Sequence, residues 1–177
     1  MRILKKALGF IVLIPHRDAL RPLVEMKTEL FQRGIYGAHS LPVMAPLARV
    51  SKALSRDELQ ELGRNLRNLT MERKGVIRCG AKALAAFSGE LFFFGPALDI
   101  QIDEAIPERL RGKLIHTLTP AVLCTALVRS GENIDSLESP ALSFRAAALA
   151  NLSIRPLAGD EPSFEWKKGP PVWLTKQ

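Results

Sequence analysis

A chain of 177 residues that is 47% hydrophobic is long enough for one well-cored domain and short for two, so residues 1–177 read as a single domain. Its formal charge of +7 is uneven: residues 1–88 hold 16 Lys and Arg against 7 Asp and Glu, and residues 89–177 hold 9 against 11. That basic first half favours phosphate-bearing partners. The two cysteines, Cys79 and Cys124, sit in apolar phrases without C-x-x-C spacing or a nearby histidine, which excludes a disulfide framework and a zinc module and leaves them as buried free thiols.

The opening phrase MRILKKALGFIVLIPHRD places basic residues before an apolar run, as a secretion signal does. It has no small-residue cleavage site, and His16, Arg17 and Asp18 end the run before it could span a bilayer. We therefore expect a buried first strand over residues 9–15 behind a short basic tail, a cytoplasmic location and no membrane partner. A helix follows. Leu20, Leu23, Val24, Leu30 and Phe31 recur at helical spacing, Asp18 can cap its start, Gly34 supplies its stop, and His16 reads as polar surface at its entry. In residues 38–50, Pro42 and Pro46 remove two backbone donors, which suits an edge strand or a strand with a break. Ser55 and Glu58 form a capping box, and Leu59, Leu62, Leu66 and Leu69 make a second amphipathic helix. Its outer face carries Arg56, Arg64, Arg67 and Arg73, either an ordinary solvated face or, with Arg64 and Arg67 as candidates, a nucleic-acid surface.

Beyond Gly75 the apolar stretches are broken by Gly80, Ser88, Gly89 and Gly95-Pro96, which suits successive strands. Phe92, Phe93 and Phe94 would alternate between the faces of one strand and favour core packing over base stacking. Residues 119–131 read as a helix, with Thr119 as cap, Pro120 in the first position and Gly131 as stop. A polar loop over 132–140 and two final strands, joined by the turn phrase AGDEP, complete the chain. The order implies an α+β fold, with helices packed on a mainly antiparallel sheet.

Two phrases hold a histidine followed directly by a hydroxyl residue: GAHSLPVM, residues 37–44, and LIHTLTPA, residues 114–121. Together with the order of elements, the opening FIVLIP and the closing FEWKKGPPVWL, they give a chain that resembles the two-histidine phosphoesterase superfamily, which includes 2'-5' RNA ligase-like proteins and cyclic phosphodiesterases. The resemblance is one of topology over most of the chain. It implies two pseudo-symmetric lobes with mainly antiparallel sheets and helices on the outside, each lobe carrying a His-x-Thr/Ser motif. One histidine then acts as general base and the other as general acid on a cyclic phosphate or phosphodiester, roles that suit imidazole with its ordinary pKa near ~6.5. Carried onto this chain, the catalytic pair is His39 and His116, with Ser40 and Thr117 orienting the phosphate.

The motifs depart from the pattern in one respect. Ser40 and Thr117 follow their histidines at one position rather than two, so in a regular strand they point to the opposite face unless a bulge re-aims them. A second register places the later motif in LSFRAAALAN, where Ser143 and Arg145 take the histidine and hydroxyl places. That register has no second imidazole, yet the Arg145 fork and the Ser143 hydroxyl suit phosphate binding. Both registers stand open, as does a catalytically degenerate module that binds RNA, a nucleotide or a protein. No phosphate-loop, dinucleotide, zincin or hydrolase-elbow motif occurs, and we expect neither cofactor nor metal.

Overall fold

In chain order the elements are β1 (Leu8–Pro15), α1 (Leu20–Gln32), β2 (Ala45–Val50), α2 (Arg56–Glu72), β3 (Val76–Ile77), β4 (Cys79–Ser88), β5 (Leu91–Leu98), α3 (Ile102–Ala105), α4 (Glu108–Arg111), β6 (Leu114–Thr117), β7 (Ala126–Arg129), β8 (Leu142–Pro156), β9 (Pro162–Lys168) and β10 (Val172–Trp173). The structure is a computed structural model describing residues 8–17, 20–35, 42–72, 76–77, 79–88, 91–123, 126–129, 142–156 and 162–173. A seven-stranded sheet follows the path β10-β8-β1-β2-β6, with β3 and β9 also paired to β8, and a three-stranded sheet runs β4-β5-β7. Every strand pairing is antiparallel, so the fold is α+β as the order of elements implied.

The continuous apolar run of β1 is explained by its position between β8 and β2, buried on both faces. Ile11 and Leu13 face a helix-side core with Leu23 and Met26 of α1, Leu62 and Leu66 of α2, Ile102 of α3 and Leu110 of α4. Phe10 and Val12, one residue out of phase, face a second core with Phe87 of β4, Phe93 of β5 and Ala148 and Ala150 of β8. There Phe10 and Phe93 meet edge to face at 5.3 Å and 81°, Phe87 and Phe93 meet at 5.1 Å and 62°, and the small alanines of β8 leave room for the rings.

α1 ends as Gly34 predicts. With φ of 79° it lets its own N–H reach the Phe31 carbonyl at 2.9 Å and the Ile35 N–H reach the Leu30 carbonyl at 3.0 Å, the Schellman pairing. The buried apolar stripe of α1 is Leu23, Met26 and Leu30, with Lys27 buried beside it, whereas Val24 and Phe31 are 53% and 54% exposed. Both stand one residue, about 100° of rotation, away from the stripe, so helical spacing alone did not separate them from the core. The proposed cap Asp18 lies outside the described residues. In α2 the capping box forms: the Ser55 N–H donates to Glu58 Oε2 at 2.7 Å and the Glu58 N–H donates to Ser55 Oγ at 3.3 Å.

One expectation is corrected and a second is narrowed. The described residues of 119–131 are not helical: residues 121–123 run alongside β5, with the Leu98 N–H donating to Ala121 O at 2.8 Å and the Leu123 N–H donating to Pro96 O at 2.9 Å, and Ala126–Arg129 forms the strand β7. Ala121, Val122 and Leu123 are all buried, and a short apolar run of this kind suits a buried extended segment as well as a helix. The second is narrowed: of the edge strand and the broken strand that Pro42 and Pro46 suggested, β2 is the broken one, an inner strand with β6 at the sheet edge. Pro46 is accommodated beside a bulge: the register steps from Ile11↔Ala48 to Val12↔Pro46 and leaves Leu47 as the extra residue.

Candidate functional site

The capping box sets where α2 begins, and the leucines set which way it faces: Leu59, Leu62 and Leu66 are buried. Residues 56, 60, 64 and 67 then stand one above another on a different flank, at i, i+4, i+8 and i+11. Arg56, Gln60, Arg64 and Arg67 form one wall of an open groove of about 820 Å³. The apolar lining is Leu54, Leu59 and Leu149, and the far wall is Gly169-Pro170-Pro171. The Gly169 N–H ties that wall to the sheet by donating to the Leu149 carbonyl at 2.8 Å. A Cβ at Gly169 would meet the same oxygen at 3.2 Å, so glycine permits the close approach.

Among the described residues the groove lining holds three cations and no carboxylate. Of the acids on α2, Glu58 and Glu61 are occupied on its other flank. Lys113 Nζ donates to Glu58 at 2.7 and 2.8 Å to the two carboxylate oxygens, and Arg109 pairs with Glu61. The Lys113 ammonium, followed by the Ser55 N–H, holds the Glu58 carboxyl down from 4.5 to about 2. Among the described residues neither Arg56 nor Arg64 has a carboxylate partner. Lys167 adds to this side of the molecule: its register with Asn151 places it on the sheet face that bears Leu149, and its side chain is exposed. Arg64 and Arg67, proposed from sequence as a nucleic-acid surface, are thus part of one concave basic wall, while Arg73 lies outside the described residues.

The histidine positions divide. His39 and Ser40 lie outside the described residues. His116 and Thr117 are on β6, where His116 is opposite Arg49 and Thr117 is opposite Ala48. The imidazole and its neighbouring hydroxyl therefore take opposite faces, as strand geometry requires. β6 does face a bulge, but it falls between the pairs Arg49↔His116 and Val50↔Leu114, on the far side of His116 from Thr117, and does not bring the hydroxyl round. Among the described residues His116 Nε2 and Arg49 Nε, both shielded from water, have no hydrogen-bond partner. His16 follows β1, six residues beyond Phe10, which pairs with Arg49; at ~3.3 Å per residue it stands roughly 20 Å from His116.

The alternative motif lies elsewhere on the sheet. Ser143 pairs with Val76 of β3, and Arg145 is the extra residue where the register steps from Ile14↔Ala146 to Pro15↔Phe144. β8 is separated from β6 by β1 and β2, three strand spacings of ~4.8 Å, so these positions are also roughly 20 Å from His116 once the offset along the strands is included. The fold does not bring the two registers to one place. The groove residues that sequence reasoning missed are Leu54, Gln60, Leu149 and the Gly169-Pro170-Pro171 wall; the glycine–proline phrase was visible, but its position beside α2 depends on contacts far apart in sequence.

Comparison with protein-family models, with curated proteins and with solved structures returned no match. Among the described residues no helix is long and apolar enough to cross a membrane, and no group of three His, Cys, Asp or Glu converges as a metal site would require.

Proposed function

We propose that this chain is a cytoplasmic module that binds the phosphodiester backbone of RNA in the groove between α2 and residues 169–171. The observation that carries this reading is the arginine wall Arg56-Arg64-Arg67, concave, uninterrupted by acid among the described residues and set against an apolar lining. Arginine forks suit phosphate oxygens, and the leucine and proline surface suits the faces of bases. The resemblance to two-histidine phosphoesterases points to the same ligand class. Binding is favoured over cleavage because Thr117, the hydroxyl that would orient the phosphate beside His116, is on the other face of its strand.

The test is fluorescence anisotropy with a labelled single-stranded RNA, comparing the wild-type chain with Arg56→Gln/Arg64→Gln. Saturable binding that the double substitution weakens tenfold or more supports the reading. Absent binding, or equal affinity in the two proteins, overturns it. Incubation with a 2',3'-cyclic nucleotide is run in parallel: turnover abolished in His116→Ala with the fold retained would replace the binding reading with the phosphoesterase one.

A further inference from the structure

We propose that Arg49 and His116 form a second site, separate from the groove and independent of the RNA reading, for a small oxyanion of the class of inorganic phosphate or a terminal phosphate monoester. The two residues are directly opposite each other on β2 and β6, so their side chains leave the same face of the sheet with Cβ atoms about 4.5–5.5 Å apart. That face is the one carrying Phe10, the register partner of Arg49, and not the face covered by α2. The site and the groove therefore lie on opposite sides of one sheet.

Three features point to an anion. The first is that Arg49 Nε and His116 Nε2 are both shielded from water and have no hydrogen-bond partner among the described residues, where Glu58 and Glu61 have cationic partners. Shielded donors of this kind are rare and call for a bound water or ion. The second is that the two side chains leave the same face directly opposite each other, so one oxyanion bridging the strand pair can reach both. The third is access: both residues are half-buried rather than sealed, and β6 is the terminal strand of its sheet.

The donor geometry narrows the ligand. Arg49 offers the parallel N–H groups of its fork to two oxygens, and the Nε2–H of His116 supplies a further donor to a third. Phosphate or a phosphate monoester has three free oxygens for these donors. A carboxylate and an internal phosphodiester have only two. The fully buried Phe10 ring beside Arg49 supplies an apolar flank, where such hydrogen bonds are stronger than in water.

The experiment is a titration of the imidazole resonances of the full chain with inorganic phosphate at constant pH and ionic strength, with acetate as the matched control and His116→Gln to assign the signal. The expected result is a saturable shift of His116, no matching shift of His16, little response to acetate, and at least tenfold weaker phosphate binding in Arg49→Gln. Arg49→Lys, which keeps the charge without the fork, is read alongside it and is expected to weaken binding severalfold, so the proposal remains testable if the glutamine variant does not fold. A His116 signal indifferent to phosphate, or equally responsive to acetate, overturns the site. So does a phosphate response unchanged in the folded Arg49 variant.

Discussion

Removing Arg56 and Arg64 together tests the groove through a slope rather than through a single affinity. Each phosphate neutralised on a single-stranded nucleic acid contributes about −0.7 to the dependence of log K on log salt concentration. Three lining arginines give about −2.1 if all engage phosphate; Arg67 already has a partner within the chain, and without it the sum is about −1.4. A tenfold rise in salt should then weaken wild-type binding by about 25- to 125-fold. In Arg56→Gln/Arg64→Gln the slope should fall by about 1.4, leaving at most about fivefold over the same salt range. Anisotropy with a labelled uridine oligomer at four or five salt concentrations measures both slopes, and each single substitution should remove about half of the loss. An unchanged slope in the folded double variant would refute the assignment even if the affinity itself fell, because lost phosphate contacts must appear as lost salt dependence.

Three further outcomes follow from the fold. Glu58 is held at about 2, below its ordinary 4.5, so the stability it contributes is complete above pH 4.5 and is lost as pH falls towards 2. The urea midpoints of wild type and Glu58→Gln should therefore converge across that window, and a constant difference would contradict the Lys113–Glu58 assignment. Leu66→Ala, at a fully buried position between α2 and the sheet, should cost about 2–5 kcal/mol in urea denaturation; a loss below ~1 kcal/mol would place it outside the core. Gly34→Ala meets no neighbouring atom, so its effect is backbone strain at φ 79° alone: about 1 kcal/mol, read as a Tm lower by roughly 2–4 °C.

The parts of this molecule that were legible in the sequence are those decided locally. A capping box, four leucines and a helical period were enough to place Arg64 and Arg67 on one outer flank of α2, because 3.6-residue geometry leaves little choice once the start is set. The opposing wall was not legible, since it comes from residues 169–171, about a hundred positions later. Residues 119–131 failed for a different reason: a cap-like threonine, a proline and a glycine flank an apolar run too short to separate a helix from a buried extended segment. α3 and α4 escaped because four residues are too few to show a period.

The pairing of Arg49 with His116 is partly recoverable from hydrophobicity. Side chains alternate along β2, and Ala48 and Val50 both belong to the helix-side core, so Arg49 between them must take the other face. A slip of one residue would drive its guanidinium towards Leu62 and Leu66 while turning Val50 outward, and the cost of burying that unpaired charge excludes the slipped register. What hydrophobicity does not supply is the partner, because each bulge moves the register of every residue beyond it by one. The structure has such steps on both sides of β2, at Leu47 against β1 and between Arg49 and Val50 against β6. The second step lies immediately beside the pair Arg49↔His116, so it determines which β6 side chain faces the arginine. Without it, Val50 opposite Leu114 would place Arg49 opposite Ile115, and the two basic side chains would not meet.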